Sequence, residues 1–391
     1  MENMLVDNRR KTWVDATRAI ALFMLVAAHC CDPFNSPFLE QTPERALWGS
    51  IYLSVLRPCV PLFVMVTGCL LLPSKEECYG TFYRKRIFRV LWPFLIWSVL
   101  YNIFPWAVYQ CSDSAEAAKA MVQSFFSFSE PDGTWQTMVH DILCIPFNFS
   151  GYNTHMWYVF LLIGLYLFIP ILSPWCAKAT PKQLGWFLGI CGATTLIPFI
   201  RYYGGFYADP AYIQSGHIFG FCEWNDFGML HYFSGFIGYL VLGMVLGRMK
   251  EWSWGRTLAV ALPLIVVGYA ITFGLFQAVK AEPGCTDVML EQPIYVTSFN
   301  VVMMSAGIFL IGRKLHVQGG VAKVCASLGV CSFGIYMCHY FFVGGAYTAC
   351  SALGVPVPLL IPGATLLALL CAWAFVALLK HLFGPMRVFL G

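Results

Sequence analysis

Residues 13–34, WVDATRAIALFMLVAAHCCDPF, decide the fold. From about residue 16 to 33 the stretch is apolar enough, and close enough to the roughly 20 residues a bilayer-crossing helix needs, to span a membrane. It nevertheless carries Asp15, Arg18, His29 and Asp32. On a wheel advancing about 100° per residue these fall at about 0°, 300°, 320° and 260°, so all four share one face. Ionisable groups at bilayer depth cost about 2.5–3.5 kcal/mol at a helix centre, which makes each a candidate functional residue. Helical rise puts His29 about 16 Å above Arg18, near the midplane, with Asp15 and Arg18 near the cytoplasmic surface. Asp32 lies one turn further out, within reach of the imidazole. The plainer alternative is a packed histidine bonded to a neighbouring helix and an interfacial Asp15–Arg18 ion pair.

The same character extends along the chain. Of 391 residues 59% are hydrophobic and only 11% charged, against roughly 25% charged in a soluble domain. Apolar segments at about 16–33, 47–72, 88–108, 154–173, 184–200, 229–247, 257–277, 293–312, 326–349 and 357–379 predict an all-α bundle of about ten transmembrane helices. The first segment continues past Cys31 without a signal-peptidase site, so it is expected to remain in the membrane. No repeat or appended soluble domain interrupts the pattern; one membrane-embedded domain over 1–391 is expected, with 1–15 and 380–391 as terminal segments. Lys and Arg number 19 in the terminal and even-numbered connections against 4 in the others, which predicts that both termini are cytoplasmic. Acids such as Glu130, Asp132, Asp209, Glu223, Asp226, Glu282 and Glu291 fall on the opposite side, where the stretch 109–153 is expected to hold short interfacial helices. A net charge of +4 spread along the chain, with no nucleic-acid motif, excludes a nucleic-acid partner. The 16 cysteines form no C-x-x-C pair or metal-ligand cluster. Cys30, Cys59, Cys69, Cys191, Cys331, Cys338 and Cys371 read as small apolar fillers, and no metal is expected.

Further polar residues lie at bilayer depth. Arg57, in SVLRPCVPLFVMVTG, is about 15 Å deep in the second span. Pairing with a helix-end carbonyl beside Pro58 or Pro61 and a role with substrate both remain open for it. In YRKRIFRVLWPF, Arg86 and Arg89 share a helix face beside Arg84 and Lys85. They either flank the membrane as ordinary cytoplasmic cations or, at the depth of Arg18, close a pocket whose guanidinium forks suit a phosphate-rich ligand. Tyr336 and His339 stand at i and i+3 in SFGIYMCHYFF, at the depth of His29. His155 and Trp157 open the fourth span, where an aromatic belt is the simpler explanation.

Arg18-x(10)-His29, Arg86-x-x-Arg89 and the strings PLFVMVTG, HMWYVFLLIGLYLFIPIL and SFGIYMCHYF, in this order over residues 13–341, together resemble the acyltransferase 3 family, most closely its bacterial surface-polysaccharide O-acetyltransferase branch. The resemblance implies a multi-pass protein of the bacterial inner membrane. It would move an acyl group from cytosolic acyl-CoA, usually acetyl-CoA, to a hydroxyl of an envelope polysaccharide or its lipid-linked precursor. Carried onto this sequence, His29 is the catalytic histidine, Arg18, Arg86 and Arg89 are the essential arginines, and Arg57 matches the branch. Thr67 stands where the family often has serine, and no extracytoplasmic hydrolase-like domain follows.

On this reading Arg18, Arg86 and Arg89 bind the CoA phosphates. Neutral His29 takes the proton from the acceptor hydroxyl, or carries the acyl group transiently. Asp32 holds the imidazole tautomer, while Arg57, Tyr336 or His339 stabilises the oxyanion or binds the sugar, with Trp157 in the outer half. Expected partners are the bilayer, acyl-CoA and a carbohydrate, with homo-oligomerisation left open. A transporter of polysaccharide or lipid precursors is the alternative; against it, no broken-helix pair recurs in two halves of the chain.

Overall fold

Proline, capping residues and long apolar runs set the element order. The structure, a computed structural model, describes residues 2–35, 42–74, 78–127, 130–203 and 227–382, without the side chains of 2–11, 201–203, 228, 287 and 288. Asp209, Glu223, Asp226, Lys75, Arg387 and most of the 380–391 segment lie outside the described residues, as do the side chains of Arg9, Arg10, Lys11 and Arg201.

The first helix, α1 (Glu2–Cys30), is followed by the one-turn α2 (Asp32–Asn35), then α3 (Pro43–Leu56) and α4 (Cys59–Leu71). Pro58, at the head of α4, divides the expected second span, because proline brings no N–H donor and restricts the residue before it. Next come α5 (Tyr79–Cys111) and the short α6 (Ala115–Phe125) and α7 (Trp135–Cys144), with N-caps Ser114 and Thr134. These two are amphipathic helices within the stretch expected to hold them. They are followed by α8 (Trp157–Lys178), α9 (Pro181–Thr194), started by a Thr180/Gln183 capping box, α10 (Ile197–Tyr203), α11 (Ile237–Arg248) and α12 (Trp254–Lys280). The chain closes with α13 (Asp287–Glu291), α14 (Phe299–Gly312), α15 (Gly319–Ala352) and α16 (Val357–Leu382).

Among the described residues there is no strand, and nine helical segments are long and apolar enough to cross a membrane. The expected span at 293–312 takes a different form. Its helix, α14, has only 14 residues, about 21 Å. The residues before it turn instead, and Asn300 Nδ2 closes that turn on the Pro293 carbonyl at 2.8 Å. Large apolar side chains such as Val266 at 61% and Leu359 at 58% exposure face outward. That suits a lipid solvent, whereas in water it would leave extended apolar patches. The chain is a multi-pass membrane protein.

The helices assort into two compact units, one of residues 1–21, 54–75 and 168–323, the other of residues 22–53, 76–167 and 324–391. In the first, α4 and α11 run backbone to backbone. A Cβ on Gly68 would come 1.9 Å from the Leu240 carbonyl oxygen, and one on Gly243 would come 2.0 Å from that of Met65. Small residues permit this closeness, by which helices in lipid gain dispersion contacts. Arg248 and Arg313 donate to the carbonyls of Leu72 and Met249, both at 2.6 Å, satisfying helix-end acceptors.

In the second unit, α15 meets the end of α6, where a Cβ on Gly344 would stand 2.1 Å from the Ser124 carbonyl oxygen. Tyr101 of α5 stacks on Phe341 of α15 at 4.3 Å. Of the seven cysteines expected as fillers, six are buried, but Cys371 is exposed on α16.

Candidate active site

The polar cluster of the second unit begins where α1 ends. The helix stops at Cys30, and Asp32 opens α2 instead of continuing the α1 face. The bend keeps the two side chains in register: His29 Nδ1 lies 3.1 Å from Asp32 Oδ2. A carboxylate oxygen can only accept, so Nδ1 carries the proton and Nε2 of the neutral ring keeps its lone pair. Asn35 Nδ2 donates to the Cys31 carbonyl at 3.0 Å and steadies the bend. The side chains of His29 and Asp32 are 25% and 20% exposed, so this histidine is reachable.

Helix α15 supplies the opposite wall. Tyr340 donates its hydroxyl to the same Asp32 oxygen at 2.8 Å, and its ring lies 4.8 Å from that of His29. His339, fully buried, stands 5.1 Å from His29 between ring centres. Its Nδ1 donates to the Tyr336 carbonyl at 2.7 Å, which leaves Nε2 as an acceptor; that atom is buried without a hydrogen-bond partner among the described residues. Tyr336 donates its hydroxyl to the His155 carbonyl at 2.5 Å, tying α15 to the turn that opens α8.

His155 lies inside this cluster, 3% exposed, and not in an outer aromatic belt. Its ring stacks on Tyr340 at 4.5 Å and sits 5.2 Å from His339 and 6.3 Å from His29. Both of its ring nitrogens are buried, and neither makes a hydrogen bond of good geometry among the described residues. Tyr101 closes the cluster from α5, 5.0 Å from His155, with its hydroxyl on the Met337 carbonyl at 2.9 Å.

The structure therefore brings His29, Asp32, Tyr336 and His339 together and adds His155, Tyr340 and Tyr101. Trp157 packs edge-on against Tyr158. On α5, Arg86 is half-exposed and Arg89 exposed; they precede Tyr101 by about 22 and 18 Å of helix. Arg18 and Arg57 belong to the other unit. There Arg18 lies close enough to Asp15 for their charges to interact. Arg57 Nε donates to the Ile294 carbonyl at 2.7 Å, a backbone acceptor far from Pro58 and Pro61 in sequence. Thr67 turns its hydroxyl back onto the Phe63 carbonyl at 2.8 Å.

The signal for Tyr340 was its place beside His339 in SFGIYMCHYF. Its bond to Asp32 crosses 308 positions, which no local pattern reveals. Among the described residues no group of three or more His, Cys, Asp or Glu is placed to hold a metal.

Long apolar helices around a partly exposed histidine held by a carboxylate, with two further buried histidines beside it, define a multi-pass membrane protein with a polar site inside one of its units. The model of the acyltransferase 3 family, an acyltransferase domain, matches residues 11–377, and the chain belongs to that family. It is a membrane acyltransferase. No curated protein and no solved structure matches the chain.

Proposed function

We propose that this protein is an O-acyltransferase of the bacterial inner membrane. It takes an acetyl group from cytosolic acetyl-CoA and delivers it to a hydroxyl of an envelope polysaccharide or its lipid-linked precursor. The observation that carries this reading is the His29–Asp32 pair, which leaves His29 Nε2 as the reachable acceptor.

The acceptor hydroxyl donates to His29 Nε2. As its oxygen attacks the thioester carbonyl, the proton passes to Nε2 and the carbonyl electrons move to oxygen. Asp32 steadies the imidazolium that forms. The intermediate then collapses, the C–S bond breaks, and the thiolate of CoA takes the proton from His29 Nε2, leaving an ester and a thiol. His339 Nε2 offers a second acceptor for a neighbouring hydroxyl of the sugar. Arg86 and Arg89 take the donor phosphates. Trp157 is offered to the sugar.

The test is thiol release from acetyl-CoA, and O-acetylation of envelope glycans read by mass spectrometry, for the chain and for His29→Ala. Wild-type release that the variant abolishes, with matching loss of glycan acetyl groups, is expected. No thiol release and unchanged glycans with the wild-type chain present would overturn the reading.

A further inference from the structure

We propose that Tyr340 is a positioning residue of this site, fixing through Asp32 how the His29 imidazole is held. The inference rests on His29 being the base. It extends that reading from the pair to a chain in which a tyrosine hydroxyl, a carboxylate and an imidazole share one oxygen atom.

Asp32 Oδ2 receives both Tyr340 Oη, at 2.8 Å, and His29 Nδ1, at 3.1 Å. Asp32 sits on a helix of four residues just beyond the end of α1, a segment too short to be stiff alone. Buried Pro33 and Phe34 anchor it from behind, and Tyr340 anchors the carboxylate itself. The tyrosine has little freedom. Its ring lies nearly parallel to His155, at 10° and 4.5 Å, and to Phe126, at 19° and 6.0 Å. The residue is 9% exposed. Its hydroxyl is thus delivered by α15 to the same Asp32 oxygen that meets His29.

The same bond adjusts charge. A hydroxyl donor spreads the negative charge of a carboxylate, so it weakens the pull of Asp32 on an imidazolium. Removing the hydroxyl should leave Asp32 freer to turn and more strongly attractive to protonated His29. The groups facing His29 are Asp32 beyond the end of its own helix, His155 from the start of α8, and His339 and Tyr340 from α15. Arg45 reaches the Pro33 carbonyl at 3.4 Å, beside Asp32. Only Tyr340 bonds the oxygen that holds the imidazole in this set.

Two readouts test this in purified protein: the pH dependence of His29 modification by diethyl pyrocarbonate, which acylates neutral imidazole and is followed by peptide mass spectrometry, and thiol release from acetyl-CoA. Tyr340→Phe keeps the ring and its stacking. It should move the midpoint of His29 modification up by about 0.5–1 pH unit and lower kcat about tenfold, with KM for acetyl-CoA within about twofold of wild type. In an Asp32→Asn background the same substitution should change neither readout further, because the chain is already cut. An unmoved midpoint in Tyr340→Phe, or an equal shift in both backgrounds, would overturn the proposal. Undiminished turnover by His29→Ala would sink the reading of His29 as base, while the modification experiment still decides whether Tyr340 acts on His29 through Asp32.

Discussion

His29 Nδ1 and Asp32 Oδ2 stand 3.1 Å apart across the break that ends α1. The break is what gives the pair its chemistry. The helix ends at Cys30, so Asp32 is free to turn its carboxylate onto the ring it follows. With the Nδ1 proton committed, the Nε2 lone pair is presented by geometry and not left to tautomeric exchange.

If Nε2 removes the acceptor proton, His29→Ala should lose about 10²- to 10⁴-fold in rate, while the protein still inserts and elutes as a monodisperse peak in detergent. His29→Gln, similar in size and polarity, should be equally inactive. Near-normal thiol release from acetyl-CoA by either variant would remove His29 from the mechanism.

Donor affinity should depend on Arg86 and Arg89, because guanidinium forks bind phosphate in a geometry that lysine reproduces poorly. Arg86→Ala and Arg89→Ala should each weaken CoA binding in calorimetry, and the Lys variants should restore it only in part. Unchanged affinity in both Ala variants alongside lost activity would assign them another role.

The wheel reading of residues 13–34 placed His29 and Asp32 on one face, and the pair is found together, although Asp32 lies beyond the helix on which that wheel was drawn. An i, i+3 spacing survives a one-turn break, so the local pattern was enough. Partners from distant helices were harder. Tyr340 on Asp32 and Tyr336 on the His155 carbonyl join residues 308 and 181 positions apart. His155 at the head of an apolar span looks the same in sequence whether it faces headgroups or a buried cluster. The short α14 was hidden for a related reason: hydropathy sees 293–312 as one apolar run, whereas the turn before it is closed by Asn300 reaching back to Pro293.

Close packing of α4 on α11 makes a structural prediction. Gly68→Ala places a Cβ against backbone, which cannot retreat as a side-chain tip can, and Gly243→Ala does the same from the other helix. Each should destabilise by about 1–3 kcal/mol or more, read as a lower thermal midpoint in detergent. Gly164→Ala on α8, whose Cβ would meet nothing within 4 Å, should leave the midpoint unchanged or slightly raised. Equal behaviour of the three variants would contradict the α4–α11 contact.

Glu251 predicts a pH effect outside the spans. Partial burial would raise its pKa, but His316 at 3.0 Å and Lys314 at 3.3 Å outweigh that and hold it below the usual value. A depressed carboxyl pKa contributes stability above its unfolded value, and that contribution is lost as pH falls through the folded value. The difference in thermal midpoint between wild type and Glu251→Gln should therefore be present at pH 6 and fade below about pH 4. The side chain is 48% exposed, so screening keeps the difference under about 1 kcal/mol. A difference independent of pH would show that the glutamine perturbs packing and not charge.

Sidedness is the farthest-reaching expectation. The basic residues concentrate on the face assigned to the cytoplasm, so a phosphate-bearing donor should enter there and meet Arg86 and Arg89. The histidine cluster lies deeper: Tyr101, which touches it, follows Arg86 by about 22 Å of α5. If the donor phosphates bind at the one level and His29 acts at the other, the acyl group crosses part of the bilayer within the protein. In sealed vesicles, acetyl-CoA supplied only at the cytoplasmic face should acetylate a glycan presented only at the opposite face, with CoA retained on its own side. Omitting the cytoplasmic donor should stop the reaction even when acetyl-CoA is given to the glycan side. Transfer that requires donor and acceptor on the same cytoplasmic face would refute the two-sided path and bring the acceptor site down to the level of Arg86.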